Sequence, residues 1–186
     1  MEVSIKNMVC PRCISSVSRI FSAASVGVKE VVLGKVTTTV TPDEVQAAGI
    51  RKALLAEGFE WIDDPSGRLS EEVRNLVVSL VQSGELDEMT ETLSDYISRK
   101  LHRSYHSVSV TFSATQGITI EQFFITQKIE KIKEWLDYNE YTLSEMAFRL
   151  GYSSVAHLSS QFRKVTGMTP SAYRAAGGQR QPIGGL

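Results

Sequence analysis

From Leu93 onward the chain repeats itself at an offset of fifty residues, without a gap, over about thirty positions. Leu93-Ser94-Asp95 returns as Leu143-Ser144-Glu145, Arg99 as Arg149, Ser104 as Ser154 and Ser109 as Ser159. Phe112 returns as Phe162, Gly117 as Gly167 and Thr119 as Thr169, with Val108/Leu158 and Phe123/Tyr173 as conservative partners. One matched pair would be chance; an ungapped series points to one supersecondary unit used twice.

The second copy is the more legible. Thr142 can cap a helix over Leu143 to Leu150, which Gly151 ends with the backbone freedom of a tight turn. Ser153 or Ser154 caps the next helix, which runs to Val165 and stops at Thr166-Gly167. Ala147 is small enough to let the two helices cross closely. Leu158 and Phe162 bury the second helix, leaving Val155, Ala156, His157, Ser159 and Ser160 around its outer N-terminal half. This is helix-turn-helix geometry, in which the second helix enters a major groove, with Arg163 and Lys164 placed for phosphates. Ile125, Ile129, Ile132 and Leu136 stripe a long helix from about Ile120 to Tyr138 that joins the copies. Leu76, Val77, Leu80 and Val81 mark a helix before them, and the β-branched run near Val108 reads as helical.

Charge separates the same end of the chain. The net charge is −1, but residues 1–67 carry −1, residues 68–140 carry −4 and residues 141–186 carry +4, with Glu145 the acid of the last stretch. Local charge decides whether a surface attracts phosphate, so the basic end is the nucleic-acid candidate.

The first sixty residues read differently. Val3-Ser4-Ile5 alternates as a strand, and Ile14, Val17, Ile20 and Phe21 follow Pro11 at helical spacing. Val28 to Leu33 and Lys35 to Val40 form a hairpin about Gly34; Asp43 to Glu57 is a second helix closed by Gly58, and Phe59 to Ile62 a last strand. The order is β-α-β-β-α-β, the ferredoxin-like arrangement. Asp63-Asp64-Pro65-Ser66-Gly67 is polar and turn-forming, and marks the seam. Cys10 and Cys13 lie between the first strand and first helix, where the helix N-terminus and Arg12 favour thiolates. Two thiolates suit a soft ion such as Cu(I), while a closed zinc site needs more ligands. A Cys-x-x-Cys pair alone also fits redox chemistry or an inert remnant. Met8 reads as core.

These residues carry two resemblances. The run from Tyr141 to Arg174, with Ala147, Gly151-Tyr152, Phe162-Arg163-Lys164, Thr166-Gly167, Thr169-Pro170 and Tyr173-Arg174, resembles the C-terminal signature of AraC-type transcription regulators. That family's two helix-turn-helix units joined by a long helix imply an all-α DNA-binding domain over residues 70–176. The resemblance implies DNA contacts at Ser154, Val155, Ala156, His157, Ser159, Ser160, Arg163 and Lys164, and base-facing positions at His106, Ser109 and Val110. In the first unit Ile97 replaces Ala147's counterpart, Leu101 stands where Gly151 does, and Ser113-Ala114 replaces Arg163-Lys164, so it should read DNA weakly. Arg99, Lys100, His102 and Arg103 can supply some backbone attraction. Residues 1–62, with Met8-Val9-Cys10-Pro11-Arg12-Cys13 and Phe59, resemble the heavy-metal-associated domain of copper chaperones and metal-pumping ATPases. That resemblance implies one soft metal ion at Cys10 and Cys13, Cu(I) favoured.

The expected protein is therefore α+β: a ferredoxin-like βαββαβ domain over 1–62, a linker over 63–69, an AraC-type double helix-turn-helix domain over 70–176 and a flexible tail over 177–186. Its expected function is sequence-specific transcription control, responsive to a soft metal or to thiol redox state. Its partners are double-stranded DNA and the transcription machinery rather than a membrane. No apolar run is long enough to span a bilayer and no secretory signal is visible, so a cytoplasmic location is expected. No catalytic constellation or phosphate-cradling glycine loop is present, and no enzyme reading competes. The rival readings are a metal buffer whose helical half docks a protein, and a dithiol oxidoreductase.

Overall fold

The structure, a computed structural model, describes residues 1–8, 11–84 and 86–176. They divide into two compact units: Met1–Leu76 with Ile97–Thr119, and Val77–Tyr96 with Ile120 onward. The first repeat thus groups with the N-terminal sheet, a division that crosses the seam expected at 63–69.

In the first unit the element order is β1 (Glu2–Lys6), α1 (Pro11–Ala23), β2 (Val28–Val32), β3 (Lys35–Thr38), α2 (Glu44–Ala56) and β4 (Glu60–Ile62). The strands make one antiparallel sheet in the order β2-β3-β1-β4, with Val3 opposite Val36 and Ile5 opposite Trp61. Strand alternation sends Val3 and Ile5 inward, where they meet Val17, Ile20 and Phe21 of α1 and Ile50 and Leu54 of α2. Phe21 stacks on Trp61 at 6.1 Å. Asp43 and Gln46 form a capping box at the start of α2. The hairpin glycine, Gly34, has φ +77, a conformation that favours glycine, and the Asn75 side chain packs against it.

The residues expected as a linker are largely helix. α3 runs Pro65–Ser83, with Pro65 as its first residue and the Asp64 carboxylate accepting from the Gly67 N–H. Asp, Pro and Ser mark a turn and a helix start alike, and here the start prevails. Ser70 and Glu71 on α3 are buried. Glu71 accepts a hydrogen bond from the Asn7 backbone, and burial holds its pKa above the ordinary carboxylate value despite Arg74. On the same helix Ser70 hydrogen-bonds Thr115, and the Arg74 guanidinium donates to Gln116 Oε1 at 3.2 Å. Thr115 and Gln116 end α5 (Tyr105–Gln116), which follows α4 (Leu93–Leu101). The run near Val108 is helical, as read.

The second unit holds a short 3-10 turn at Leu86–Glu88, then α6 (Ile120–Asp137), α7 (Leu143–Arg149), α8 (Val155–Thr166) and α9 (Pro170–Ala175). Ile129, Ile132 and Leu136 of the predicted stripe are buried against Met146, Ala147, Leu158 and Phe162, with Ile125 partly buried beside them. Thr169 and Pro170, a cap and a first-turn proline, start α9, which buries Tyr173 edge-on to Phe162 at 5.6 Å. Among the described residues no helix is long and apolar enough to cross a membrane. The tail expected over 177–186 lies outside the described residues.

Candidate nucleic-acid interface

α7 and α8 form the second helix-turn-helix. Thr142 and Glu145 make a capping box; the backbone and hydroxyl of Thr142 hold the Glu145 carboxyl below its ordinary pKa. The sharp turn after α7 passes through Gly151 at φ +64. Ser154, not Ser153, caps α8, accepting from the His157 N–H at 3.1 Å. Gly167, in the left-handed region, donates its N–H to the Arg163 carbonyl and closes the helix.

Leu158 and Phe162 are fully buried, which turns Ala156, His157, Ser160, Arg163 and Lys164 to solvent, with Ser159 half-exposed. Val155 departs from expectation: it is partly buried and packs against the unit's core, so it belongs to the inner edge of α8. Ser154 spends its hydroxyl oxygen on the helix cap. Arg163 and Lys164 occupy the last turn, where the helix dipole favours cations.

His157 is held on two sides. Its Nδ1 lies 3.1 Å from Ser153 Oγ, and its ring stands edge-on to Tyr152 at 5.3 Å. Tyr152 is itself buried, and its hydroxyl donates to Gln161 Oε1 at 2.6 Å; burial raises the phenol's pKa. Over the opposite partner of this ring sits Lys128 of α6, its Nζ 3.7 Å from the Tyr152 centroid and 5.3 Å from that of Phe124. Lys128 is 8% exposed, and burial pulls its pKa down to about 8. Apart from a lysine placed within the apolar stripe of α6, the sequence gives no local sign of the roles of Lys128 and Gln161, offers Ser153 only as a cap, and shows Tyr152 only as part of a motif.

The first unit has the same scaffold with other chemistry. Ser104 caps α5 through the Ser107 N–H at 3.4 Å, and Gly117 closes it at φ +71. Val108 and Phe112 are fully buried. His106 and Val110 are exposed; Ser109 is half-exposed and donates to the His106 carbonyl at 3.0 Å. With Leu101 in place of the glycine, α4 runs on and His102 takes the left-handed turn at φ +52.

At the cysteine loop, Asn7 turns the chain at φ +70 and donates its side chain to the Gly58 carbonyl at 3.0 Å. Met8 is 1% exposed in the core, as read. Cys13 lies in the first turn of α1, half-buried against the same core. Cys10 and Val9 lie outside the described residues. No group of three or more His, Cys, Asp or Glu able to hold a metal is found among the described residues.

Residues 97–176 match the family described as Helix-turn-helix domain. Among curated proteins, the chain is 23% identical over 112 residues to the uncharacterized HTH-type transcriptional regulator YtdP of Bacillus subtilis, covering 60% of this chain and 14% of that protein. It is 28% identical over 101 residues to the uncharacterized HTH-type transcriptional regulator SAS0078 of Staphylococcus aureus, covering 47% of this chain and 14% of that one. The matched region thus spans about a seventh of these relatives' length. Among solved structures, a transcriptional regulator with an AraC-type DNA-binding domain from Chromobacterium violaceum aligns with TM-score 0.50 at 20% identity, covering 60% of this chain and 97% of that one. The DNA-binding domain of AdpA, solved with a target DNA, aligns with TM-score 0.47 at 26% identity over 56% of this chain and 90% of that one. Residues 97–176 thus match a helix-turn-helix domain, and the Chromobacterium violaceum structure shares the fold.

Proposed function

We propose that the helix-turn-helix match over residues 97–176 is an AraC-type DNA-binding domain and that this chain is a sequence-specific DNA-binding transcription regulator, not an enzyme. The observation that carries it is α8: a capped helix anchored by Leu158 and Phe162, presenting Ala156, His157, Ser159 and Ser160 outward with Arg163 and Lys164 at its end. His157 and the serines can read base edges, while the two cations position the helix on phosphates. Selection from a random DNA pool tests it. One enriched motif is expected, and recovery of no motif overturns the reading.

The finer part of the proposal is that residues 1–62 are a heavy-metal-associated domain whose Cys10 and Cys13 take a soft ion, Cu(I) favoured, or respond to thiol oxidation. The β2-β3-β1-β4 sheet order supports it, as does Cys13 in a first helical turn, where backbone N–H groups favour a thiolate. Bound there, a soft ion would tie the loop to α1. Such an ion can change DNA affinity only by favouring one arrangement of the reading helices. Contacts within the first unit supply a route: α3 holds Asn7, at the mouth of the loop, through Glu71, and holds the end of α5 through Ser70 and Arg74. Repeating the DNA selection with and without Cu(I) under reducing conditions tests the coupling. Equal affinity in both, unchanged also by removal of residues 1–62, overturns the sensor and leaves the DNA reading standing.

A further inference from the structure

We propose that Lys128 and Tyr152 are positioning residues for the reading face of α8, bracing His157 and Gln161 so that the imidazole meets DNA in one pose. The inference rests on the DNA-binding reading above. Lys128 is a buried ammonium, 8% exposed, on a helix whose neighbouring inward positions are Ile129 and Ile132. Among the described residues no carboxylate pairs with it; its contacts are the faces of Tyr152 and Phe124. A buried cation left without a counter-ion is a poor stabiliser, and an apolar side chain of similar length would fill the space at lower cost. What the ammonium does contribute is direction, because a cation 3.7 Å above a ring favours the ring's face and so resists its tilting.

The held ring then acts at two points of α8. Its hydroxyl donates to Gln161 Oε1, which occupies that amide's carbonyl and turns its NH2 donors elsewhere. Its edge confines the His157 ring, whose Nδ1 already meets Ser153 Oγ, leaving Nε2 as the imidazole atom open to a base edge or phosphate. Positions 157 and 161 are one turn apart, so Tyr152 supports a single flank of the helix. Pre-ordering a reader's rotamer before binding sharpens discrimination without adding a contact.

Base preference is read by DNA selection and by competition on the selected site, in wild type, Tyr152→Phe, Lys128→Met, His157→Ala and the Tyr152→Phe/His157→Ala double variant. Tyr152→Phe keeps the ring volume, so it retains the fold even if Lys128→Met does not, and it removes the hydrogen bond to Gln161 that together with Lys128 fixes the tilt of the ring edge against His157. The expected result is a loss of about threefold to tenfold in discrimination at the base read by His157 for each single variant, with the salt dependence unchanged. In the His157→Ala background Tyr152→Phe should have no further effect on that base, which a merely structural role would not produce. Unchanged preference in Tyr152→Phe while His157→Ala alters it, or an undiminished effect of Tyr152→Phe in the His157→Ala background, overturns this inference alone. A wild-type protein with no preferred sequence overturns it together with the DNA-binding reading.

Discussion

Val108 and Phe112 in the first repeat, and Leu158 and Phe162 in the second, are all fully buried, and Ser104 and Ser154 cap equivalent helices that Gly117 and Gly167 close. The inward positions are kept because each helix buries the same face against its partner. The outward positions diverge. α5 carries Ser113 and Ala114 where α8 carries Arg163 and Lys164, and it contains no Asp, Glu, Lys or Arg. Its far end is tied to α3 through Thr115 and Gln116, within the unit that holds the sheet. α8 instead has a buried tyrosine and lysine behind its reading flank. Under the proposed function, one scaffold serves two tasks: the second repeat reads DNA and the first connects. The turn geometry agrees, since His102 takes a left-handed turn at φ +52 that costs a non-glycine residue about 1 kcal/mol, whereas Gly151 takes its turn without strain.

The largest effects should come from the buried phenylalanines. Phe112→Ala and Phe162→Ala should each cost about 3–5 kcal/mol in denaturant unfolding. Hydrogen exchange separates them: Phe112→Ala should lower protection in β1 and β4, which share its unit, and Phe162→Ala should not. Identical exchange changes in the two variants would dissolve the division of labour.

Lys128→Met should stabilise the protein at pH 7 by about 1–3 kcal/mol, since it removes the cost of burying a charge. The sign follows from proton binding. Below about pH 8 the amine is charged in both states and the cost is fully present; between about 8 and the ordinary 10.5 the unfolded chain binds more protons, so wild-type stability rises with pH. Thermal melts over that range should show the rise in wild type and not in the variant. A destabilised variant would make Lys128 a structural residue.

His157→Ala should cost about 1–3 kcal/mol on the preferred DNA site and relax one or two base positions. His106→Ala and Ser109→Ala should cost less in the same competition assay. If the first-repeat changes abolish specific binding while His157→Ala leaves it intact, the roles of the two repeats are reversed. Ser154→Ala should cost about 1 kcal/mol of stability through the lost cap, and Ser104→Ala less, because its cap hydrogen bond is longer.

The mildest effect concerns phosphates. Arg163→Ala and Lys164→Ala should each shallow the slope of log affinity against log salt by about 0.9, alike for all sequences. Ser113→Arg with Ala114→Lys should steepen it if α5 also approaches the backbone, and leave it unchanged if α5 only connects.

Thr142, Ser154, Gly117 and Gly167 could be read directly from the chain because caps and left-handed closures are settled by residues within one turn. The β-α-β-β-α-β order, the long α6 and the helix pair around Ala147 were legible for a related reason: periodicity records which face is buried. The same locality misled at Asp64-Pro65-Ser66-Gly67, where turn residues start α3, and at Val155, the first residue of α8, which packs against the core. Other features have no local signature at all. Glu71 meets Asn7, Ser70 meets Thr115, and Lys128 meets Tyr152 across separations that only packing can close. The repeat, its caps and the chemistry carried on each helix face can be read from the residues alone, because these follow from nearest neighbours and period. That the first repeat groups with the sheet and that a lysine lies buried on a tyrosine ring emerge only from the folded packing, because each depends on which distant surfaces exclude water together.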